Sequence, residues 1–162
     1  MAPQSDPDVE AIAAYLRQAD LLDPAELREL IPSLLILESL AVRDSPPFDA
    51  DAIAGLRAAN ERLRRSAGHA TEAALADDDF HRRLTAGCDK PQLLEVVDVV
   101  RKALLEYERE YMLSADRLAR SVDQHEAIVA ALEDGDHARA AECVRVNFTS
   151  GMPTPQSRFP DP

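Results

Sequence analysis

Asp77 and His81 stand four residues apart in the segment ADDDFHRRL, so on a helix both side chains leave the same face, one turn apart. A carboxylate oxygen and an imidazole nitrogen at that spacing can share a metal ion, and zinc, nickel and manganese accept both. Ala70, Ala73, Ala74, Phe80 and Leu84 make the surrounding stripe apolar, which turns the pair inward. The alternative is a partly solvated face, because Asp78 and Asp79 adjoin. A second imidazole decides between them. His125 interrupts a seam of Leu118, Val122, Val129 and Leu132. A lone histidine on such a seam is ordinarily a hydrogen-bonded core residue. Here an inward Asp and His already lie on another helix, and burying all three without a cation or partners costs several kcal/mol. Asp77, His81 and His125 are therefore candidate metal ligands. Asn147, one turn from Cys143 and Val144, is a candidate for the same cavity, against an ordinary helix-end role. His69 and His137 fall at helix starts and read as surface residues.

These residues need helices to position them, and helical periodicity runs through nearly the whole chain while strand alternation is almost absent. Residues 8–19 read as a short, linker-like helix. Asp23-Pro24 opens the next with a capping carboxylate and a first-turn proline. That helix carries Leu27, Leu30, Ile31, Leu34, Leu35, Leu37 and Leu40, apolar most of the way round, and suits a central place or a subunit interface. Pro32 inside it predicts a kink or a break. Further helices are expected over 49–66, 69–86, 91–112, 114–134 and 136–149, separated by Pro- and Gly-containing breaks. The third should turn Ile53, Leu56, Ala59, Asn60 and Leu63 inward. The domain reading is a linker-like stretch at 1–22, one helical domain at 23–150 and a Pro-rich tail at 151–162. The fold class is all-α, an antiparallel bundle of about six to seven helices.

Composition limits what such a bundle can do. Aromatics make up 4% of 162 residues and Trp is absent, which favours aliphatic helix packing over a sandwich. A net charge of -12 repels phosphate backbones, so direct nucleic-acid binding is not expected; Arg62, Arg64 and Arg65 read as a solvated face. Cys88 and Cys143 lack a CxxC spacing and fit reduced thiols in a cytoplasmic protein. The acidic start lacks the apolar core of a secretory signal, and no run is long enough to span a membrane.

The motifs have an order. Asp77-x-x-Phe80-His81-x-x-Leu84 is followed by Gly87-Cys88-Asp89-Lys90-Pro91-Gln92-Leu93-Leu94, by Gln124-His125-Glu126-Ala127-Ile128, and by Gly135-Asp136 with Ala140-Ala141. Together they resemble the FCD family, the effector-binding domains of GntR-type transcription regulators, over residues 24–149. The resemblance implies a central pocket in which one Asp and three His hold a divalent metal (Zn, Ni or Mn) beside a small effector, often a carboxylate. Asp77, His81 and His125 match three of those ligands, and Asn147 stands at the fourth, where an amide oxygen is a weaker ligand suited to harder ions. The family's effector-pairing Arg, ahead of a Leu-Glu pair, is Leu34 here, ahead of Leu37-Glu38. Arg101 is a candidate replacement for ligand binding, against a surface salt bridge. Such regulators also carry an N-terminal winged helix-turn-helix, and this chain begins near the linker that follows it.

The resulting expectation is a metal-containing, effector-binding domain without its own DNA-binding part, assembled as a homodimer through its Leu-rich helix. An alternative is a metal-dependent enzyme on the same scaffold, using an open metal position, with Glu106, Tyr107 and Tyr111 as acid–base candidates that packing explains equally. A third reading is a scaffold in which Asp77, His81 and His125 satisfy one another by hydrogen bonds.

Overall fold

The computed structural model describes residues 24–149, so the helix expected at 8–19, the cap at Asp23 and the Pro-rich tail lie outside the described residues. Within them are six helices and no strand: α1 (Pro24–Arg43), α2 (Ala50–Arg65), α3 (Ala70–Thr85), α4 (Pro91–Tyr111), α5 (Ala115–Glu133) and α6 (His137–Thr149).

Local chemistry sets their ends. Asp49 accepts a hydrogen bond from the Ala52 amide at 2.8 Å and opens α2. Pro91 opens α4, where a missing N–H costs nothing. Ser114 caps α5, and Asp136 accepts from the Arg139 amide at 2.9 Å ahead of α6. Gly68 and Gly135 adopt φ of +85° and +70°, the left-handed turns that let α2 and α5 stop. α1 runs through Pro32 without a break. The proline is exposed, so water can satisfy the carbonyl that its ring deprives of a donor.

The helices pack as a closed cycle. α1 lies against α4, α4 against α3, α3 against α2, α2 against α5, α5 against α6, and α6 returns to α1. Three apolar clusters cement these contacts. Leu56, Phe80, Leu84, Ile128, Leu132 and Val144 join α2, α3, α5 and α6. Ile31, Leu34, Val97, Val100 and Leu104 join α1 to α4, while Leu63, Ala73, Met112, Leu118 and Val122 fill one end. Leu34, Leu56, Leu63 and Leu84 are fully buried, each contributing roughly 1.5–3 kcal/mol of transfer free energy. What the clusters enclose is polar.

Candidate metal and effector site

Asp77 and His81 leave the inner face of α3, and His125 faces them from the middle of α5. All three are buried. Their ligand atoms lie within 4.8 Å of one another. Asp77 Oδ1 is 3.4 Å from His125 Nε2, and Asp77 Oδ2 is 3.8 Å from His81 Nε2. The Phe80 ring stacks on His125 with centroids 3.8 Å apart and planes within 3°, which fixes the imidazole plane.

The far nitrogens determine the tautomers. His81 Nδ1 lies 2.6 Å from Glu38 Oε2, and an ionised carboxylate only accepts, so Nδ1 carries the proton. The Asn60 amide nitrogen donates to the Val122 carbonyl at 3.0 Å, which turns its oxygen toward His125 Nδ1 at 3.1 Å. His125 therefore donates from Nδ1 as well. In the neutral forms that a metal requires, both Nε2 lone pairs would face the Asp77 carboxyl, and His125 Nε2 is buried without a hydrogen-bond partner among the described residues. Acceptors turned toward one another repel unless a cation or a proton lies between them. Ligands bound to a small ion at about 2.0–2.2 Å stand roughly 3.0–3.5 Å apart; the 3.4 Å pair already matches, and the 3.8 Å pair would have to draw in.

A layer of charge backs this triad. Arg101, from α4, is only 1% exposed and spreads its guanidinium over four carboxyls. Nη1 donates to Glu38 at 2.6 Å, Nε to Asp78 at 3.0 Å, and Nη2 to Glu108 at 3.3 Å and Asp77 at 3.5 Å. Burial alone would loosen the Arg101 proton, but the carboxylates around it outweigh burial and hold it charged. Burial also pushes Glu38 upward, yet Arg101 and His81 together keep its carboxyl below the usual range. Asp77 is raised by burial, against the pull of His81 and Arg101, with Glu38 and Asp78 adding to the rise. His125 falls well below an ordinary imidazole through burial, helped by His81 and Arg101, and so stays neutral. Burial pushes Glu108 up to about 8 despite Arg101, with Asp77, Asp78 and Glu38 contributing.

Beside the triad lies a cavity of about 70 Å³, walled by Asp77, His81, Glu108, Ser121 and Asn147 among Ile31, Leu104, Tyr107, Tyr111, Met112 and Phe148. Its mixture of apolar wall and a few convergent polar groups is that of a small-molecule site. The chain matches the FCD domain family over residues 25–149. The chain belongs to the FCD family. It is also similar to the HTH-type transcriptional repressor GlaR of Escherichia coli (strain K12), with 28% identity over 149 residues covering 86% of this chain and 66% of the repressor. The chain thus spans just under two thirds of that relative's length.

FCD domains of GntR-type regulators bind small-molecule effectors, and the expected residues of this FCD domain fall into place unequally. Asp77, His81 and His125 come together. Asn147 lines the same cavity, half-buried, its amide nitrogen donating to Gln124 Oε1 at 3.0 Å. Leu34 sits in the apolar α1–α4 contact. Arg101 is no surface ion pair: its charge lies in the interior, behind the cavity wall rather than among the lining residues. His137 is half-buried rather than a surface residue, with Nδ1 3.1 Å from the Val42 carbonyl, whereas His69 is exposed. Of the acid–base candidates, Tyr107 and Tyr111 line the cavity, while Glu106 is exposed and pairs with Arg109. Sequence reasoning passed over Asn60 as a partner of His125, Glu38 as a partner of His81, and Glu108. The one available signal was polarity on inward helical positions. Among the described residues no helix is long and apolar enough to cross a membrane, and both cysteines are free.

Proposed function

We propose that this FCD domain is the sensor part of a GntR-type regulator, holding a divalent metal ion on Asp77, His81 and His125 and receiving a small effector in the adjoining cavity. The supporting observation is the orphaned, buried Nε2 of His125, turned with the Nε2 of His81 toward one carboxyl. Glu38 and Asn60 orient the two imidazoles from behind, as partners of metal-binding histidines ordinarily do. When bound, the ion would neutralise Asp77 and offer an open position to an effector oxygen such as a carboxylate. Asn147 would supply an amide oxygen, a neutral fourth ligand that weakens affinity for soft ions. The zinc, nickel or manganese preference follows from two nitrogens and one oxygen.

Elemental analysis of the purified, tag-free protein tests this reading, with His81→Ala and His125→Ala as controls. Near-stoichiometric metal that disappears in both variants is expected. A wild-type protein that stays metal-free after reconstitution would remove the ion from the proposal.

A further inference from the structure

We propose that the effector presents an ammonium group to Glu108, so that this cavity takes amino-bearing small molecules in preference to dicarboxylates. The inference rests on the effector-site reading above and adds the charge of the ligand. Glu108 lines the cavity, and only one of its oxygens is engaged: Oε1 accepts from Arg101, while Oε2 is buried without a hydrogen-bond partner among the described residues. A buried acceptor left unpaired costs about 1–3 kcal/mol, so a ligand that donates to it gains that much selectivity over one that cannot.

The surrounding charge selects the donor. Glu38, Asp77, Asp78 and Glu108 share one guanidinium, so with all four ionised three negative charges are left. Arg82 also touches Asp78, but it and Lys102 share Asp98 at the exposed outer side, where water and salt screen their charge from the cavity. A divalent ion on the histidines and Asp77 would leave one negative charge, and a single ammonium closes it. A ligand carboxylate placed there would instead be repelled. Arg101 cannot receive it, because its N–H groups already point at the four carboxyls and it does not line the cavity. The Leu104, Tyr107 and Tyr111 side chains flank Glu108 on the wall, and such apolar surroundings strengthen an ammonium–carboxylate pair by thinning the water around it. Burial lifts the Glu108 carboxyl to about 8, with Asp77, Asp78 and Glu38 adding to the rise, and an arriving ammonium would take the place of its proton.

The test uses a matched series: β-alanine, 3-hydroxypropanoate, propanoate and malonate, each also extended by one and two methylenes. Calorimetric titrations against wild type and Glu108→Gln are run with metal content measured on the same samples. The amino members are expected to bind wild type at least tenfold more tightly than the diacids of equal length. Glu108→Gln, nearly isosteric and relieved of a buried charge, should fold, keep its metal and lose that preference. Diacids binding best, no member binding, or a preference unchanged in Glu108→Gln would each overturn the proposal. An amino preference in metal-free protein would uphold it while removing the ion; full metal content without the preference would do the reverse.

Discussion

Asn60 holds His125 in the tautomer that a metal needs, and it does so with both ends of one amide. Asn60→Ala would strip the His125 Nδ1 proton and the Val122 carbonyl of their partners in a buried place. A loss of about 1–3 kcal/mol of stability is expected, together with a fall of roughly 10–100-fold in metal affinity. Urea denaturation and competition with a metallochromic chelator measure the two; unchanged metal affinity would mean that Phe80 stacking alone orients the ring. Asp77, His81 and His125 were legible in the sequence because each interrupts its own helix's apolar stripe. Asn60, Glu38 and the burial of Arg101 were not, for a physical reason. A 3.6-residue period tells which face turns inward but not what waits opposite, and their partners lie 65, 43 and 63 residues away. A guanidinium on an inward face reads as misplaced until four carboxyls from three helices are brought to it.

α4 shows the same limit for a whole helix. Its start was legible at Pro91, and its inner face through Val97, Val100 and Leu104 follows from periodicity. Two turns past Arg101, that face sets the half-buried Glu108 on the cavity wall. Burial raises the Glu108 carboxyl from 4.5 to about 8, with Asp77, Asp78 and Glu38 opposing its charge and Arg101 favouring it. The folded form therefore binds this proton more tightly than the unfolded chain does. The associated stability is intact below about pH 4.5 and is lost as pH rises toward 8. In metal-free protein, Glu108→Gln should gain on wild type across that interval and hold its lead above it. Denaturant midpoints of both proteins at about pH 5 and above pH 8 check this; equal differences at the two values would show Glu108 ionising normally.

At the scale of the molecule, helix number and order were legible because caps and glycines punctuate the chain at Asp49, Gly68, Pro91, Ser114 and Gly135. The cyclic packing was not, since it depends on which apolar faces meet. The proposed homodimer belongs to this scale too. α1 buries Ile31, Leu34 and Leu35 internally yet leaves Ile36 58% exposed, beside Leu40, Ala138 and Ala141 where α1 meets α6. Sedimentation velocity at micromolar concentration should find a dimer, strengthened by salt because each copy carries a net charge of -12. Ile36→Asp should dissociate it. Monomer alone, at all salt concentrations, would show that this face is simply solvated.

Every helix of the cycle sends one or two polar side chains to the same centre: Glu38 from α1, Asn60 from α2, Asp77 and His81 from α3, Arg101 and Glu108 from α4, His125 from α5 and Asn147 from α6. A molecule seated there therefore has no single helix as its host. Its binding free energy is spread over the whole tertiary structure, so occupancy and global unfolding are linked, and the melting temperature should climb with ligand concentration. The same arrangement makes the six helices jointly sensitive to a small adjustment at the hub, a wheel whose rim answers to its axle.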